Sequence, residues 1–112
     1  MTPEAVVQKQ LDAYNHRNIQ DFASCHAEDV TLFSFSQNTP YVEGRKQLIE
    51  MYSTIFEESP QLHSKLLNRI VMKNTVIDYE EITGRKGVDI FELIAIYEIE
   101  GDVIAKAHFI RK

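Results

Sequence analysis

Residues 90–100 read IFELIAIYEIE, a stretch that decides the fold because six of its eleven side chains are β-branched or aromatic. The stretch predicts a strand over 89–100. Turn-forming residues flank further extended segments on either side, so strands are also predicted over 62–73, 75–83 and 103–110. Four consecutive strands joined by short turns are typical of an antiparallel meander.

The N-terminal half of the chain shows helical spacing instead. Apolar residues recur every three or four positions in three segments, which predicts helices over 3–16, 19–26 and 45–59. Alternation between the second and third helices predicts a strand over 28–35 and a short hairpin return over 41–43. The predicted order is α-α-β-β-α-β-β-β-β, which indicates an α+β fold: a curved antiparallel sheet wrapped around three helices.

Length and charge exclude several classes of protein. The chain has 112 residues and a mass of 13.0 kDa, so we expect one domain over residues 1–112. Its net charge of −5 argues against a nucleic-acid partner. A membrane partner is not expected, since the sequence has no run of about 18 uncharged apolar residues. The start, residues 1–4, does not resemble a secretory leader, and we expect a cytoplasmic location.

The predicted strand over 89–100 is apolar on both of its faces. One face holds Phe91, Leu93, Ala95, Tyr97 and Ile99, and the other holds Ile90, Glu92, Ile94, Ile96 and Glu98. Because three helices cover only one face, we expect a homodimer that buries Ile94 and Ile96 on the outer face. The alternative is that these isoleucines are simply tolerated in contact with water.

The element order and several short motifs resemble the nuclear transport factor 2-like superfamily, and within it the SnoaL-like and ketosteroid isomerase-like proteins. The leading segment is VVQKQLDAYNHRNIQDFASCHAEDVTLF (residues 6–33), and the closing segment is AIYEIEGDVIAKAHFIR (residues 95–111). A tyrosine late in the first helix, Tyr14, and a glycine before the third, Gly44, fit the same pattern. The resemblance implies a cone-shaped cystatin-like fold, an apolar cavity open at one end, and dimers.

Ketosteroid isomerase uses a carboxylate base together with a tyrosine and a protonated acid that donate hydrogen bonds to the oxyanion. The resemblance places the tyrosine at Gln10, the base at Ser34 and the protonated acid at Ala95. None of these side chains matches the role, although Gln10 can still donate a hydrogen bond. Steroid isomerisation by that mechanism is therefore not expected.

The resemblance also implies which side chains point into the cavity. It places a polar cluster of Asp78, Glu80, Lys106 and His108 inside the cone, with Ile104 and Ile110 pointing the same way from the last strand. The predicted catalytic residues are Asp78 and His108. The predicted ligand-binding residues are Tyr14, Ser34, Tyr52, Phe56, Glu80, Ala95, Tyr97 and Lys106.

Three interpretations of the polar cluster stay open. Asp78 and His108 form an acid/base pair for proton transfer on a small apolar ligand. Alternatively, Asp78 and Glu80 form ion pairs with Lys106 and His108 that close the wide end of the cone. A register slip of one residue would instead turn Asp78 and Glu80 outward and their sequence neighbours inward.

Two functions follow from these interpretations. The first is a small-molecule-binding domain with an apolar cavity, which the replaced isomerase positions favour. The second is a cofactor-independent isomerase, cyclase or hydratase that acts on a small hydrophobic substrate through Asp78 and His108. No cofactor is expected, because the sequence has no glycine-rich phosphate loop, and no metal, because His26 lacks a second histidine at ligand spacing.

Overall fold

Side chains cap the N-termini of the first two of the three helices. The Thr2 hydroxyl accepts a hydrogen bond from the Ala5 backbone N–H, and the Asn18 side chain caps the second helix in the same way. None of the helices is long and apolar enough to cross a membrane. The helices are α1 (Pro3–Asn15), α2 (Ile19–Ser24) and α3 (Arg45–Glu58).

Six strands form one curved sheet in the order β2-β1-β6-β5-β4-β3, in a computed structural model that describes all 112 residues. The strands are β1 (His26–Ser34), β2 (Val42–Glu43), β3 (His63–Met72), β4 (Thr75–Thr83), β5 (Phe91–Glu100) and β6 (Val103–Arg111). The α+β class and the predicted element order are confirmed. Four of the five strand pairings are antiparallel, whereas β1 and β6 pair in parallel.

The strand β4 has the inward and outward sides that the family resemblance implies. Asp78 and Glu80 are only 1% and 6% exposed, while Tyr79 between them is exposed. The alternative of a register slip by one residue is therefore wrong. The correct side is selected because Val76 and Ile82 on the same face of β4 belong to the apolar core.

A bulge in β6 changes the direction of the residues that follow it. Ile99 of β5 pairs with Ile104, but the preceding residue, Glu98, pairs with Lys106. Ala105 is thus an extra residue in β6, opposite no residue of β5. Because side chains alternate along a strand, one extra residue exchanges the two faces from that point onward.

The bulge overturns part of the prediction for the last strand. Ile104 is buried as expected, but beyond it Ala107 and Phe109 are the buried residues. Lys106 and His108 alternate with them and are directed to the outer face, and Ile110 is exposed. The expectation that these three side chains point into the cone is therefore wrong.

The connection between β4 and β5 is fastened to the segment after α3. Gly84 has a φ of +77°, and a Cβ at this position would lie 2.0 Å from the carbonyl oxygen of Gln61. The backbone N–H of Lys86 donates a hydrogen bond of 3.0 Å to the Ser59 hydroxyl. These contacts place Arg85 beside the open end of the cone.

Candidate functional site

A cavity of about 280 Å³ lies between the helices and the inner face of the sheet. Aromatic and aliphatic side chains supply most of its lining. Its inner part is formed by the buried residues Gln10, Phe22, His26, Leu32, Tyr52, Glu80, Ile82, Tyr97 and Phe109. Its mouth is formed by the more exposed residues Tyr14, Ser34, Tyr41, Met51, Ile55, Arg85, Phe91, Leu93 and Arg111.

Glu80 is the only acidic residue in this lining. Its Oε1 accepts a hydrogen bond from the Ser64 hydroxyl, and Oε2 has no hydrogen-bond partner in the protein. Burial raises the pKa of Glu80 to about 7, although the hydrogen bond from Ser64 acts in the opposite direction. Near neutral pH, Glu80 can therefore be populated both as a carboxylic acid and as a carboxylate.

Three tyrosines present phenol groups to the cavity. Burial raises the pKa of Tyr14, Tyr52 and Tyr97, and the negative charge of Glu80 adds to the effect at Tyr14 and Tyr97. All three therefore stay protonated and remain hydrogen-bond donors. The hydroxyls of these tyrosines form no hydrogen bond within the protein. Because no buried side-chain polar atom lacks a partner, these hydroxyls are accessible, and they open into the cavity that the three side chains line.

His26 contributes a hydrogen-bond acceptor. Its Nδ1 lies 2.8 Å from the carbonyl oxygen of Phe22, and a carbonyl can only accept, so Nδ1 carries the proton. Burial lowers the pKa of His26 to about 4, which keeps the imidazole neutral. Nε2 is therefore an unprotonated acceptor on a ring that lines the cavity.

Two arginines stand at the mouth of the cavity. Arg111 ends β6, lies 4.9 Å above the Phe109 ring, and donates a hydrogen bond of 3.1 Å to the Tyr41 hydroxyl. Arg85 comes from the connection between β4 and β5. Neither arginine forms an ion pair with a carboxylate.

Asp78 does not line the cavity. Its two carboxylate oxygens accept hydrogen bonds of 2.7 and 2.9 Å from Nε and Nη2 of Arg69, on the neighbouring strand β3. Arg69 also donates to the side chain of Gln8 on α1. Asp78 is thus held in a buried ion pair between the sheet and α1, and the predicted pairing with Lys106 or His108 is wrong.

His108 and Lys106 lie on the opposite face of the sheet from the cavity. The His108 ring stacks on Phe33 at a centroid distance of 4.8 Å, and the Lys106 ammonium lies 5.7 Å from the centre of the same ring. The structure therefore does not bring His108 and Asp78 together. The predicted acid/base pair does not assemble, because the bulge at Ala105 turns one partner outward and Arg69 engages the other.

The remaining predicted positions divide between the cavity and the core. Tyr14, Ser34, Tyr52, Glu80 and Tyr97 are brought together around the cavity. Phe56 and Ala95 belong to the apolar core and do not line it.

Sequence reasoning missed His26, Arg85 and Arg111 as cavity residues. Arg85 and Arg111 carried a weak signal, since each lies at the end of a strand that contributes inward residues. No pattern in the sequence indicated that His26 lines the cavity, because the orientation of its ring depends on the packing of α2 against β1. Gln10 does line the cavity, as the resemblance implied.

This arrangement combines an aromatic enclosure with a few polar groups of defined character. Tyr14, Tyr52 and Tyr97 donate hydrogen bonds, the His26 Nε2 accepts, and Glu80 can do either according to its protonation. Apolar walls with a few convergent polar groups are typical of small-molecule sites.

Comparisons with known proteins agree with this architecture. The family model for the SnoaL-like domain matches residues 7–107. An uncharacterised cystatin-fold protein from Novosphingobium aromaticivorans superposes with a TM-score of 0.91 at 21% identity, covering 99% of each chain. A nuclear transport factor 2-like protein of unknown function from Cytophaga hutchinsonii gives 0.83 at 15% identity, covering 100% of this chain and 91% of that one.

A third solved structure was determined with a small molecule. A protein with a ketosteroid isomerase-like fold from Catenulispora acidiphila, in complex with trimethylamine, superposes with a TM-score of 0.78 at 17% identity, covering 97% of this chain and 85% of that one. At these identities the likeness establishes the fold alone. No curated protein sequence matches the chain. The family match over residues 7–107 shows that this chain belongs to the SnoaL-like domain family.

Proposed function

We propose that this chain binds a small, largely aromatic or apolar molecule in the cavity between its helices and sheet. The observation that carries the proposal is the set of polar groups that open into the cavity without a partner in the protein, above all the Tyr97 hydroxyl on a side chain only 3% exposed. Because these groups are accessible from the cavity and make no hydrogen bond in the protein, they are free to bind the polar groups of a ligand.

The size of the cavity limits the ligand. Its volume of about 280 Å³ lies just below the roughly 300–1,000 Å³ typical of drug-sized ligand sites. A one-ring or two-ring compound is therefore the expected class. Phe22 and Tyr52, whose ring centroids are 4.6 Å apart, pack against each other and form an aromatic part of the cavity wall.

The proposal is tested with a series of uncharged aryl alcohols from phenol to 2-naphthol. Binding is followed by chemical-shift changes in two-dimensional amide NMR spectra of the whole protein. We expect saturable shifts at cavity residues such as Leu93, and weaker binding in Tyr97→Phe, which loses one hydroxyl. Tyr79→Phe is the matched control, because Tyr79 lies on the outer face. Shifts scattered over the surface, or none with any compound, contradict a ligand-binding cavity.

A second candidate function is proton transfer on the bound molecule, with Glu80 as the acid or base. Two observations favour this candidate. One carboxylate oxygen of Glu80 has no hydrogen-bond partner in the protein. The pKa of Glu80 is about 7, so both of its protonation states are populated near neutral pH. Neutral tyrosines nearby are suited to stabilise an enolate oxygen by donating hydrogen bonds. In this proposal Glu80 takes the role that the sequence assigned to Asp78 and His108.

Hydrogen–deuterium exchange at carbon tests the second candidate. The probe is 1-indanone, whose α-hydrogens exchange in D₂O when a base removes them. We expect wild-type protein to accelerate the exchange, with a rate that rises through about pH 7 as Glu80 ionises, and Glu80→Gln to lose the acceleration. The control is Glu81→Gln, next along β4 on the outer face. Equal rates in wild type and Glu80→Gln contradict a catalytic role for Glu80.

We also propose that two copies of the chain associate through the outer face of the sheet. Cross-strand neighbours form one row across five strands there, running Ile70, Ile77, Ile96, His108 and Phe33. Four of the five side chains are apolar, and a continuous patch of this kind usually marks an interface.

The occupant of this face is proposed to be a second copy because the patch carries charges of both signs at its border. Glu98 and Lys106 stand 4.0 Å apart beside the apolar row. A patch with both charges is complementary to itself when two copies meet about a two-fold axis. Ile94 lies in the neighbouring row, opposite Ile110, and extends the patch.

Sedimentation velocity at micromolar concentration tests the assembly. A dimer is expected for the wild type and a folded monomer for Ile96→Asp. The control is Ile49→Asp, which places the same charge on the exposed side of α3. A monomeric wild type contradicts the dimer.

A further inference from the structure

Arg85 and Arg111 form no ion pair and both line the cavity. Only three of the twelve Lys and Arg side chains form ion pairs, so it is the position at the cavity that distinguishes these two arginines. The one acidic residue in the cavity lining, Glu80, accepts a hydrogen bond from Ser64 and pairs with neither arginine.

Arg111 is held in a fixed orientation. Its guanidinium lies over the faces of Phe109 and Tyr41, at 4.9 and 5.7 Å from the ring centres, and one of its nitrogens donates to the Tyr41 hydroxyl. A guanidinium has five N–H donors, and the protein uses one of them here. The remaining donors are free for an anion, and stacking reduces the conformational entropy lost when they bind it.

Arg85 is positioned by the connection between β4 and β5. The backbone around it is fixed at Gly84, which packs against the Gln61 carbonyl, and at Lys86, whose N–H binds Ser59. The Arg85 side chain forms no hydrogen bond or ion pair with the protein, and it lines the same cavity as Arg111.

We propose that the ligand carries a carboxylate, which Arg85 and Arg111 bind at the mouth while the apolar part of the molecule occupies the cavity. This inference rests on the ligand-binding function proposed above. The planar guanidinium matches a planar carboxylate through two parallel hydrogen bonds, and the acidic Glu80 in the inner part of the cavity disfavours a second carboxylate there. The ligand class is thus a small arylalkanoic acid, with one anionic end and one apolar end.

Matched pairs of acids and amides test the charge directly. The probes are benzoate, phenylacetate, 3-phenylpropanoate and 4-phenylbutanoate, each compared with its uncharged primary amide by isothermal titration calorimetry and amide NMR. We expect the best acid to bind about tenfold more tightly than its amide, as is typical when a charged group gains hydrogen bonds to arginine. The difference shrinks at high salt because the mouth is open to solvent.

Charge-removing variants locate the effect. Arg85→Gln and Arg111→Gln are each expected to weaken acid binding about fivefold and to leave amide binding within about twofold of wild type. Their sequence neighbours Lys86→Gln and Lys112→Gln are the matched controls. Both remove one positive charge close by without altering the cavity lining, and both are expected to bind the acids like wild type.

The outcomes separate this inference from the function on which it rests. Equal affinity for acids and amides at the cavity overturns the carboxylate proposal and leaves the cavity as a ligand site. An equal loss of acid affinity in the arginine variants and in the lysine controls also overturns it, because the attraction is then a general effect of charge. Failure of the acids, the amides and the aryl alcohols alike overturns both proposals.

Discussion

The buried carboxyl of Glu80 makes a quantitative prediction about stability and pH. Its pKa is raised from 4.5 to about 7 in the folded protein, mainly by burial, on a side chain that is 6% exposed. A rise of about 2.5 units at about 1.36 kcal/mol per unit corresponds to about 3 kcal/mol. Because the folded pKa is the higher one, folding favours the protonated acid. The contribution of Glu80 to stability is therefore full below pH 4.5 and is lost as the pH rises through about 7.

Glu80→Gln removes this titration while keeping the size of the side chain. The Gln carbonyl can still accept the hydrogen bond from Ser64. We expect the free energy of unfolding of Glu80→Gln, taken relative to wild type at the same pH, to be about 3 kcal/mol higher at pH 8.5 than at pH 4.5. The same substitution is expected to abolish any proton transfer, so greater stability would accompany loss of function.

Urea denaturation at the two pH values measures this difference. The chain contains five tyrosines and no tryptophan, so far-UV circular dichroism is the suitable signal. Protein concentration is held constant to keep any self-association equal. Glu100→Gln, at the exposed end of β5, serves as the control and is expected to show no comparable pH dependence. The raised pKa of Glu80 is contradicted if the difference in free energy of unfolding between Glu80→Gln and wild type changes by less than about 1 kcal/mol between the two pH values.

Three further predictions concern positions around the site. Asp78→Ala leaves the Arg69 guanidinium buried without its partner, and we expect a loss of about 3–5 kcal/mol in urea denaturation, equivalent to a drop of roughly 10–20 °C in Tm. A cost below about 1 kcal/mol would contradict a buried ion pair. Gly84→Ala places a Cβ 2.0 Å from the Gln61 carbonyl oxygen. The thermal midpoint is therefore expected to fall by more than about 8 °C. An unchanged midpoint would show that this turn can move. His108→Ala is expected to bind aryl alcohols within about twofold of wild type, whereas a loss of affinity would place His108 in the site.

Much of the fold was predictable because it depends on local patterns. The caps at Thr2 and Asn18 act within a few residues, and so do the turns of the meander. The inward side of β4 was implied by the family resemblance, whereas the strand's own pattern left a slip of one residue open, since the inner face carries Asp78 and Glu80 and the outer face carries Ile77 and Tyr79. The local patterns therefore specify element order and fold class.

The composition of the site was only partly predictable, because it depends on contacts between distant residues. A single extra residue at Ala105 reverses the face of His108 relative to Ile104, whereas the resemblance assigned both to the same face. Asp78 is engaged by Arg69 from β3, a partner selected by strand register. The placement of Arg111 beside Tyr41 joins segments 70 residues apart.

The sequence by itself determined an α+β domain with apolar side chains on both faces of its sheet, because alternation and helical spacing are properties of each segment alone. Only the tertiary structure decided which polar side chains meet. It placed Glu80, His26, Tyr97 and the two unpaired arginines around one cavity, and it held Asp78 and His108 apart. The physical reason is that pairing register and bulges are set by the energy of the whole sheet, and a shift of one residue exchanges its inside and its outside.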